Sequence, residues 1–163
     1  MKRYIISVCL FAGVSLFLSG CSLQAPPSKG EKPVPVPTGN IWKSSDSGKT
    51  WESKSNGTGI NFTDLEVLDF AFHPSDENIV LVGTRNGGLL KTENGGESWT
   101  RFANFPKSKV YGVVFDSSSG NIIYASGLLK ERGKIFKSVN SGKTWEEIYT
   151  SAAEGPLVAS LAI

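Results

Sequence analysis

Three copies of one short motif, each ending in Gly-x-Ser/Thr-Trp, constrain the fold of this chain more than any other feature. The copies lie at 43–51, 91–99 and 137–145, and their tryptophans are 48 and then 46 residues apart. A repeat of this period indicates a row of supersecondary units, none of which can bury its apolar face alone. We therefore expect a repeat architecture.

Short apolar runs between the motifs indicate that each unit is built of β-strands. The first complete unit has runs at 67–72, 79–84, 89–92 and 98–102, and the second at 110–115, 121–126, 134–138 and 143–148. The runs are rich in β-branched and aromatic residues and end near Gly, Asn or Pro, which is typical of antiparallel strands. Four strands in about 45 residues are typical of one propeller blade. The predicted fold class is all-β, a partial β-propeller of four-stranded antiparallel blades.

The repeats at the two ends are incomplete. From Ile41 the chain carries only the third and fourth strands of a unit, and 157–163 carries only a first strand, with 158–163 aligned to 67–72. Closed propellers often complete their first blade with strands from the far end of the chain, and unpaired strand edges favour aggregation. We therefore expect this sequence to be the N-terminal part of a longer protein, truncated at its C-terminus.

The start of the chain has the features of an export signal. Basic residues at Lys2 and Arg3 precede an uncharged apolar run at 4–18, which is shorter than the ~20 residues that a spanning helix needs. The run closes with Leu-Ser-Gly-Cys at 18–21, which resembles the lipobox of bacterial lipoproteins. That resemblance implies a lipid on Cys21, which would begin the mature chain. An ordinary secretory signal is the alternative.

The predicted organisation has three parts: a lipoprotein signal peptide at 1–20, a Pro-rich tether at 21–39 and β-propeller repeats at 40–163. Prolines in the tether disfavour both helix and sheet, so this segment is an extended spacer. Because Ser22 rather than Asp follows the cysteine, the lipoprotein resemblance implies anchoring to the outer membrane if the host has two membranes, and otherwise to the cell surface. The other cysteine, Cys9, lies in the signal, so no disulfide is expected.

Charge and motif content argue against several ligands. The net charge of +2 comes from Lys2 and Arg3, and the rest of the chain is balanced. No basic stripe suits a nucleic acid, and no Gly-rich loop between a strand and a helix suits a nucleotide. The single histidine, His73, is interpreted as a turn residue rather than a metal ligand. No metal or cofactor is predicted.

The repeated motif, Ser/Thr-x-Asp/Asn-x-Gly-x-Ser/Thr-Trp, resembles the Asp-box or BNR repeat of sialidases, sortilin-type receptors and the photosystem II assembly factor family. The resemblance covers 40–163. The motif positions are Ser44, Asp46, Gly48, Thr50 and Trp51 in the first box, Thr92, Asn94, Gly96, Ser98 and Trp99 in the second, and Ser138, Asn140, Gly142, Thr144 and Trp145 in the third.

The resemblance implies that each box is a structural turn between the third and fourth strands of a blade, on the face away from the ligand. Asp and Asn side chains can fix such a turn by accepting backbone hydrogen bonds, and the tryptophan ring is expected to be buried between neighbouring blades. One carboxylate per loop is too few for Ca²⁺. We expect Asp46→Ala to lower stability without abolishing binding.

The resemblance to sialidases also raises the possibility of an enzyme. Sialidases of this fold use a cluster of arginines, whereas the mature part has only Arg85, Arg101 and Arg132, none of them before the first box. A glucanase-like enzyme needs a pair of carboxylates, for which Asp64, Glu66 and Asp69 are candidates. We favour solvated loop charges for the first two and a capping or channel-lining role for the third. No catalytic residue is predicted.

The remaining prediction is a binding surface on the loops at 53–66, 85–88, 103–109 and 127–133. Candidate contacts on these loops are Arg85, Lys107, Lys109, Lys130, Arg132, Asn61 and Phe62. The predicted function is a surface-anchored, non-catalytic β-propeller that binds a protein or polysaccharide at the cell envelope, as a scaffold or assembly factor. The alternative is a secreted exo-acting glycoside hydrolase, sialidase-like or glucanase-like, whose catalytic residues lie mostly in a missing C-terminal part.

Overall fold

The computed structural model describes residues 40–155 and 158–163. The predicted signal peptide, the tether and Cys21 lie outside the described residues. The strands are β1 (Trp42–Lys43), β2 (Glu52–Ser53), β3 (Val67–Phe72), β4 (Val80–Thr84), β5 (Leu89–Thr92), β6 (Thr100–Arg101), β7 (Lys109–Asp116), β8 (Ser119–Leu129), β9 (Arg132–Ser138) and β10 (Glu146–Thr150). In these two ranges there is no helix that is long and apolar enough to cross a membrane.

The strands form three separate antiparallel sheets. β1 and β2 pair with each other and are called the half-blade. Strands β3, β4, β5 and β6 follow one another in the second sheet, called blade 1, and β7 to β10 do so in the third, called blade 2. The fold class predicted from the sequence, an all-β partial propeller with four-stranded blades, is confirmed.

The observed strand bounds differ from the predicted ones mainly next to turns. β3 and β5 have the predicted bounds, but β6 and β10 begin later because their first predicted residues belong to the box turns. The predicted loop at 127–133 is wrong. Strands β8 and β9 continue to a two-residue turn at Lys130 and Glu131, whose φ angles of 53° and 58° are those of a tight hairpin.

The first strand predicted for a further blade, at 158–163, is not a strand in the structure. A strand is defined by its hydrogen bonds to a neighbouring strand. In blades 1 and 2 the first strand pairs with the second strand of the same blade, and the described residues contain no such partner for 158–163. Its backbone nevertheless lies beside β7, since a Cβ built on Gly112 would be 3.3 Å from the Cα of Ser160. The segment therefore packs next to an inner strand without forming a ladder.

Two hydrophobic clusters hold the sheets together. Because side chains alternate across a strand, blade 1 has one apolar face toward the half-blade and another toward blade 2. Leu81 and Leu89 belong to the cluster shared with blade 2, whereas Val82 and Leu90 belong to the cluster shared with the half-blade. All four side chains are fully buried. Packing between blades, rather than within one sheet, therefore forms the core.

Candidate functional site

The order of the strands gives each blade two ends with different loops. Box turns join the third and fourth strands, and they lie beside the turns between the first and second strands. The amide of Gly95 donates to the carbonyl of Asn78, and that of Ser141 donates to the carbonyl of Asn121, each at 2.9 Å. We call this the box end. The turns between the second and third strands and the connection between blades lie at the opposite end, called the loop end.

The first box is a closed network of hydrogen bonds around Asp46. One carboxylate oxygen accepts from the Thr50 amide at 2.8 Å, and the other accepts from the Thr50 hydroxyl at 2.7 Å. Ser44 donates its hydroxyl to Asp46 at 2.8 Å and accepts from the amide of Gly48 at 2.7 Å. These bonds, those from Thr50 first, lower the pKa of Asp46 from 3.8 to about 2.

The second and third boxes have the same turn with an amide in place of the carboxylate. Asn94 accepts from the Ser98 amide at 3.0 Å, and its Nδ2 donates to the Ser98 hydroxyl at 2.9 Å. Asn140 makes the same two contacts with Thr144, at 2.9 and 2.8 Å. The hydroxyl therefore accepts in these boxes, whereas in the first box it donates. In all three boxes, the Asp or Asn side chain is therefore bonded to groups of its own turn.

The three box tryptophans differ in burial. Trp99 is 3% exposed, and its indole N–H donates to the carbonyl of Lys54 at 2.6 Å. Trp145 is half-buried, with its ring against the rings of Phe102 and Phe105 at centroid distances of 5.7 and 4.9 Å. The expectation that all three rings are buried between blades is wrong for Trp51, which is 61% exposed. Among the described residues, no blade precedes the half-blade to cover it.

The three carboxylates considered for catalysis each have a different partner. Asp64 accepts from Asn61 Nδ2 at 2.7 Å, and Glu66 forms an ion pair with Arg85. Asp69 accepts from the amide of Val113 at 2.8 Å, so it links blade 1 to blade 2. The contacts therefore place these side chains in three separate interactions, of which that of Asp69 joins two blades.

His73 packs as a turn residue. Its ring lies edge-on to the ring of Phe115 at a centroid distance of 5.0 Å, and its Nδ1 accepts from the amide of Ser75 at 3.3 Å. In the part of the chain that the structure describes, no group of three or more His, Cys, Asp or Glu side chains is arranged to hold a metal ion.

Two candidate contacts of the predicted binding surface are used by the fold instead. Phe62 is 7% exposed and lies in the cluster between the half-blade and blade 1, so its assignment as a ligand contact is wrong. The alternation of Ile60 and Phe62 with polar residues could have indicated this. The guanidinium of Arg132 donates to the carbonyl of Ser151, where its Nε lies at 2.8 Å.

The other basic candidates meet in one groove at the loop end, between blade 1 and blade 2. This loop groove has a volume of about 390 Å³ and is lined by Arg85, Asn86, Gly87, Gly88, Leu89, Arg101, Phe102, Phe105, Pro106, Lys107, Ser108, Lys109, Leu128, Leu129 and Lys130. Five of these residues are cationic and none is acidic. Clefts lined by one sign of charge concentrate ligands of the opposite sign.

The charges of the loop groove are largely uncompensated. Arg85 pairs with Glu66, but Arg101, Lys107, Lys109 and Lys130 have no ion pair within 40–155 and 158–163. Sequence reasoning missed the contribution of Arg101, which lies on the short strand β6. The position of that strand directly before the basic connection at 103–109 is the signal that could have revealed it.

A second groove, of about 340 Å³, lies between the half-blade and blade 1 and is mostly apolar. It is lined in part by Trp51, Phe70 and Phe72, which are 61%, 43% and 68% exposed. Phe115 stands on β7 where Phe72 stands on β3, and it is only 7% exposed because blade 1 covers it. Phe72 in this groove is therefore exposed at a position where the equivalent side chain of blade 2 is covered by a neighbouring blade.

Comparison with protein families gives a match to the Sortilin-Vps10 model, described as sortilin, neurotensin receptor 3, over residues 39–157. A probable oligoxyloglucan-reducing end-specific xyloglucanase of Neosartorya fischeri is 32% identical over 83 residues, which are 48% of this chain and 10% of that protein. Xyloglucanase Xgh74A of Acetivibrio thermocellus is 29% identical over 140 residues, covering 68% of this chain and 16% of that protein.

Among solved structures, an ancestral GH74 enzyme matches with a TM-score of 0.58 and 22% identity, over 72% of this chain and 16% of that one. This likeness shows a shared fold. The chain spans between 10% and 16% of the length of these relatives.

Proposed function

Because the chain belongs to the Sortilin-Vps10 family, we propose that it is a non-catalytic β-propeller protein that binds a protein or glycan partner at the cell envelope. The observation that carries the proposal is the loop groove, a concave surface with five cations and no acidic residue in its lining. The family description names a neurotensin receptor, and the curated relatives are xyloglucanases, so a receptor and glycan-acting enzymes both occur among similar proteins.

The loop end, rather than the box end, is the proposed binding surface. At the box end, the side chains of Asp46, Asn94 and Asn140 satisfy amides and hydroxyls of their own turns. A ligand there would have to compete with these bonds. At the loop end, the side chains of Lys107, Lys109 and Lys130 are exposed and have no ion-pair partner in the part of the chain that the structure describes.

We further propose that the protein is held at the envelope by a lipid on Cys21, with the Pro-rich segment at 21–39 as its tether. The Leu-Ser-Gly-Cys sequence at 18–21 supports this assignment. An acyl chain contributes about 0.8 kcal/mol of membrane affinity for each buried CH₂ group. The site would be the outer membrane in a host with two membranes and the cell surface otherwise.

Site-specific photo-crosslinking in the producing cells tests the binding function. A crosslinking amino acid is placed at Lys109 in the loop groove or, as a matched control, at Lys143 in the third box turn. We expect a defined protein or polysaccharide adduct from position 109 and none from position 143. Equal labelling from both positions, or none from position 109, would contradict the proposal.

A glycoside hydrolase is the second candidate, because the curated relatives are xyloglucanases. Incubation of the purified chain with xyloglucan, followed by measurement of new reducing ends, separates the two functions. A non-catalytic binder releases none above a blank. Turnover that survives further purification of the protein would favour the hydrolase.

A further inference from the structure

We propose that the loop groove binds an acidic peptide segment in extended conformation, which adds as a strand to the free edge of blade 1 at Arg101. The inference rests on the proposed binding function and names the class of ligand for the same surface. Three features of the groove support it: its charge, the exposed backbone of its edge strand and its lack of an open aromatic face.

The charge of the groove requires an anionic partner. Lys107, Lys109 and Lys130 are exposed, line one groove and have no carboxylate partner among the residues that the structure describes. Lys107 lies in the connection between blades, Lys109 begins β7 and Lys130 lies in the β8–β9 turn, so folding brings together cations that the sequence separates. Such a cluster is self-repulsive until it is neutralised, and a ligand with several carboxylates would relieve that repulsion.

The edge of blade 1 offers backbone hydrogen bonds beside these cations. Strand β6 is the last strand of its sheet, and Arg101 stands opposite Leu90 of β5. The next residue, Phe102, donates its amide to the carbonyl of Leu89 at 3.1 Å. Because hydrogen-bonded and non-hydrogen-bonded pairs alternate in an antiparallel ladder, the N–H and C=O of Arg101 are directed away from β5. An extended peptide can pair with them as an added strand.

The lining favours a peptide over an acidic polysaccharide. Sugar rings bind proteins largely by stacking on open aromatic faces, and the aromatic residues of the groove are Phe102 and Phe105. Phe102 packs edge-on to Trp145 and lies under the ammonium of Lys91, whereas Phe105 is 7% exposed. Pro106, Leu128 and Leu129 instead provide aliphatic surface that suits the apolar side chains of an alternating peptide.

Fluorescence anisotropy with the full 163-residue chain in detergent tests the inference. The probe is a fluorescein-labelled octapeptide of alternating Glu and Val, compared with the same peptide methylated at its backbone nitrogens and with labelled octagalacturonate. The groove variant is K107E/K130E, and its control is K49E/K143E, which makes the same change of charge in two box turns.

We expect the octapeptide to bind, with an affinity at least about tenfold lower for K107E/K130E and changed by less than about twofold for K49E/K143E. Methylation of the peptide backbone should also weaken binding by about tenfold, because it removes the donors of the added strand. Equal losses in the two variants, undiminished binding of the methylated peptide, or equally tight binding of octagalacturonate would each overturn the inference.

Circular dichroism melting shows whether K107E/K130E is folded. If it melts below the wild type, K107Q/K130Q replaces it, and that variant must lose affinity relative to K49Q/K143Q. The result is separable from that of the proposed function. Crosslinking of a partner at position 109 without octapeptide binding would leave the function standing and refute this inference.

Discussion

At the scale of single residues, the three boxes show one turn stabilised in two chemical ways. Asp46 accepts hydrogen bonds from both the amide and the hydroxyl of Thr50, whereas Asn94 and Asn140 accept from the amide and donate to the hydroxyl. A hydroxyl group can serve either way, which explains why Asp and Asn are both compatible with the motif. Only the first box has an ionisable side chain at this position of the motif.

The stability of the first box should therefore depend on pH. The pKa of Asp46 falls from 3.8 to about 2 on folding, so its ionised form stabilises the protein above about pH 4. This contribution is lost as the pH falls toward 2. We expect Asp46→Asn to show a smaller decrease in melting temperature than the wild type between pH 5 and pH 2.5.

Some decrease in melting temperature on acidification is expected in both the wild type and Asp46→Asn. Hydrogen bonds from Ser118 and Lys134 also lower the pKa values of Asp116 and Glu147, respectively, and neither residue is altered in the variant. Identical decreases in the wild type and in Asp46→Asn would show that the first box does not contribute to acid sensitivity.

The box tryptophans should differ strongly in their contribution to stability. Trp99 is 3% exposed and donates to the carbonyl of Lys54, whereas Trp51 is 61% exposed. Truncation of a buried Trp to Ala typically costs about 3–5 kcal/mol, and exposed substitutions stay within about 0.5 kcal/mol. In urea unfolding, we expect the midpoint concentration of Trp99→Ala to lie far below that of Trp51→Ala. Similar midpoints for the two variants would contradict this expectation.

At the scale of elements, contacts between neighbouring blades are as specific as the pairing inside a blade. Asp69 on β3 accepts from the amide of Val113 on β7 at 2.8 Å, and the two blades share a buried cluster that includes Leu81 and Phe136. A backbone amide of blade 2 thus donates a hydrogen bond to a side chain of blade 1. A blade therefore gains part of its stabilising contacts only when its neighbour is present.

Removal of this link should destabilise the molecule more than removal of a loop carboxylate. Asp69→Ala leaves the amide of Val113 without its partner, which costs about 1–3 kcal/mol. Asp64→Ala, a change of the same chemistry, removes a contact to the exposed Asn61 and should cost less. Chemical denaturation of both variants measures the difference, and an equal effect of the two would argue against a role of Asp69 between blades.

Elements held by local bonds were predictable from the sequence, whereas features that depend on a neighbouring blade were not. Strands β3 and β5 have their predicted bounds, because turn residues limit them on both sides. The exposure of Trp51 and the absence of a strand at 158–163 could not be read from the motif, since each depends on what packs beside it. Four of the five cations of the loop groove were assigned to one binding surface from the sequence, whereas Arg101 was missed because its strand joins the groove only after folding.

At the scale of the whole molecule, the proposed lipid anchor makes a direct prediction. If Cys21 carries the lipid, Cys21→Ser should move the protein from the membrane fraction to the soluble fraction of the producing cells, because the acyl chains supply the membrane affinity. Immunoblotting of both fractions after ultracentrifugation measures this. Serine substitution at Cys9 is the control and should leave the distribution unchanged, whereas membrane retention of Cys21→Ser would exclude the anchor.

The spacing of the contacts between blades has a consequence for synthesis and export. The indole of Trp99 reaches Lys54 across 45 positions, and Asp69 reaches Val113 across 44. A blade that has just emerged from a ribosome or a translocation pore therefore cannot complete its packing until the next repeat has followed it. Maturation should proceed in steps of one repeat length, and the most recently emerged blade would stay dependent on chaperones for the time needed to deliver its successor.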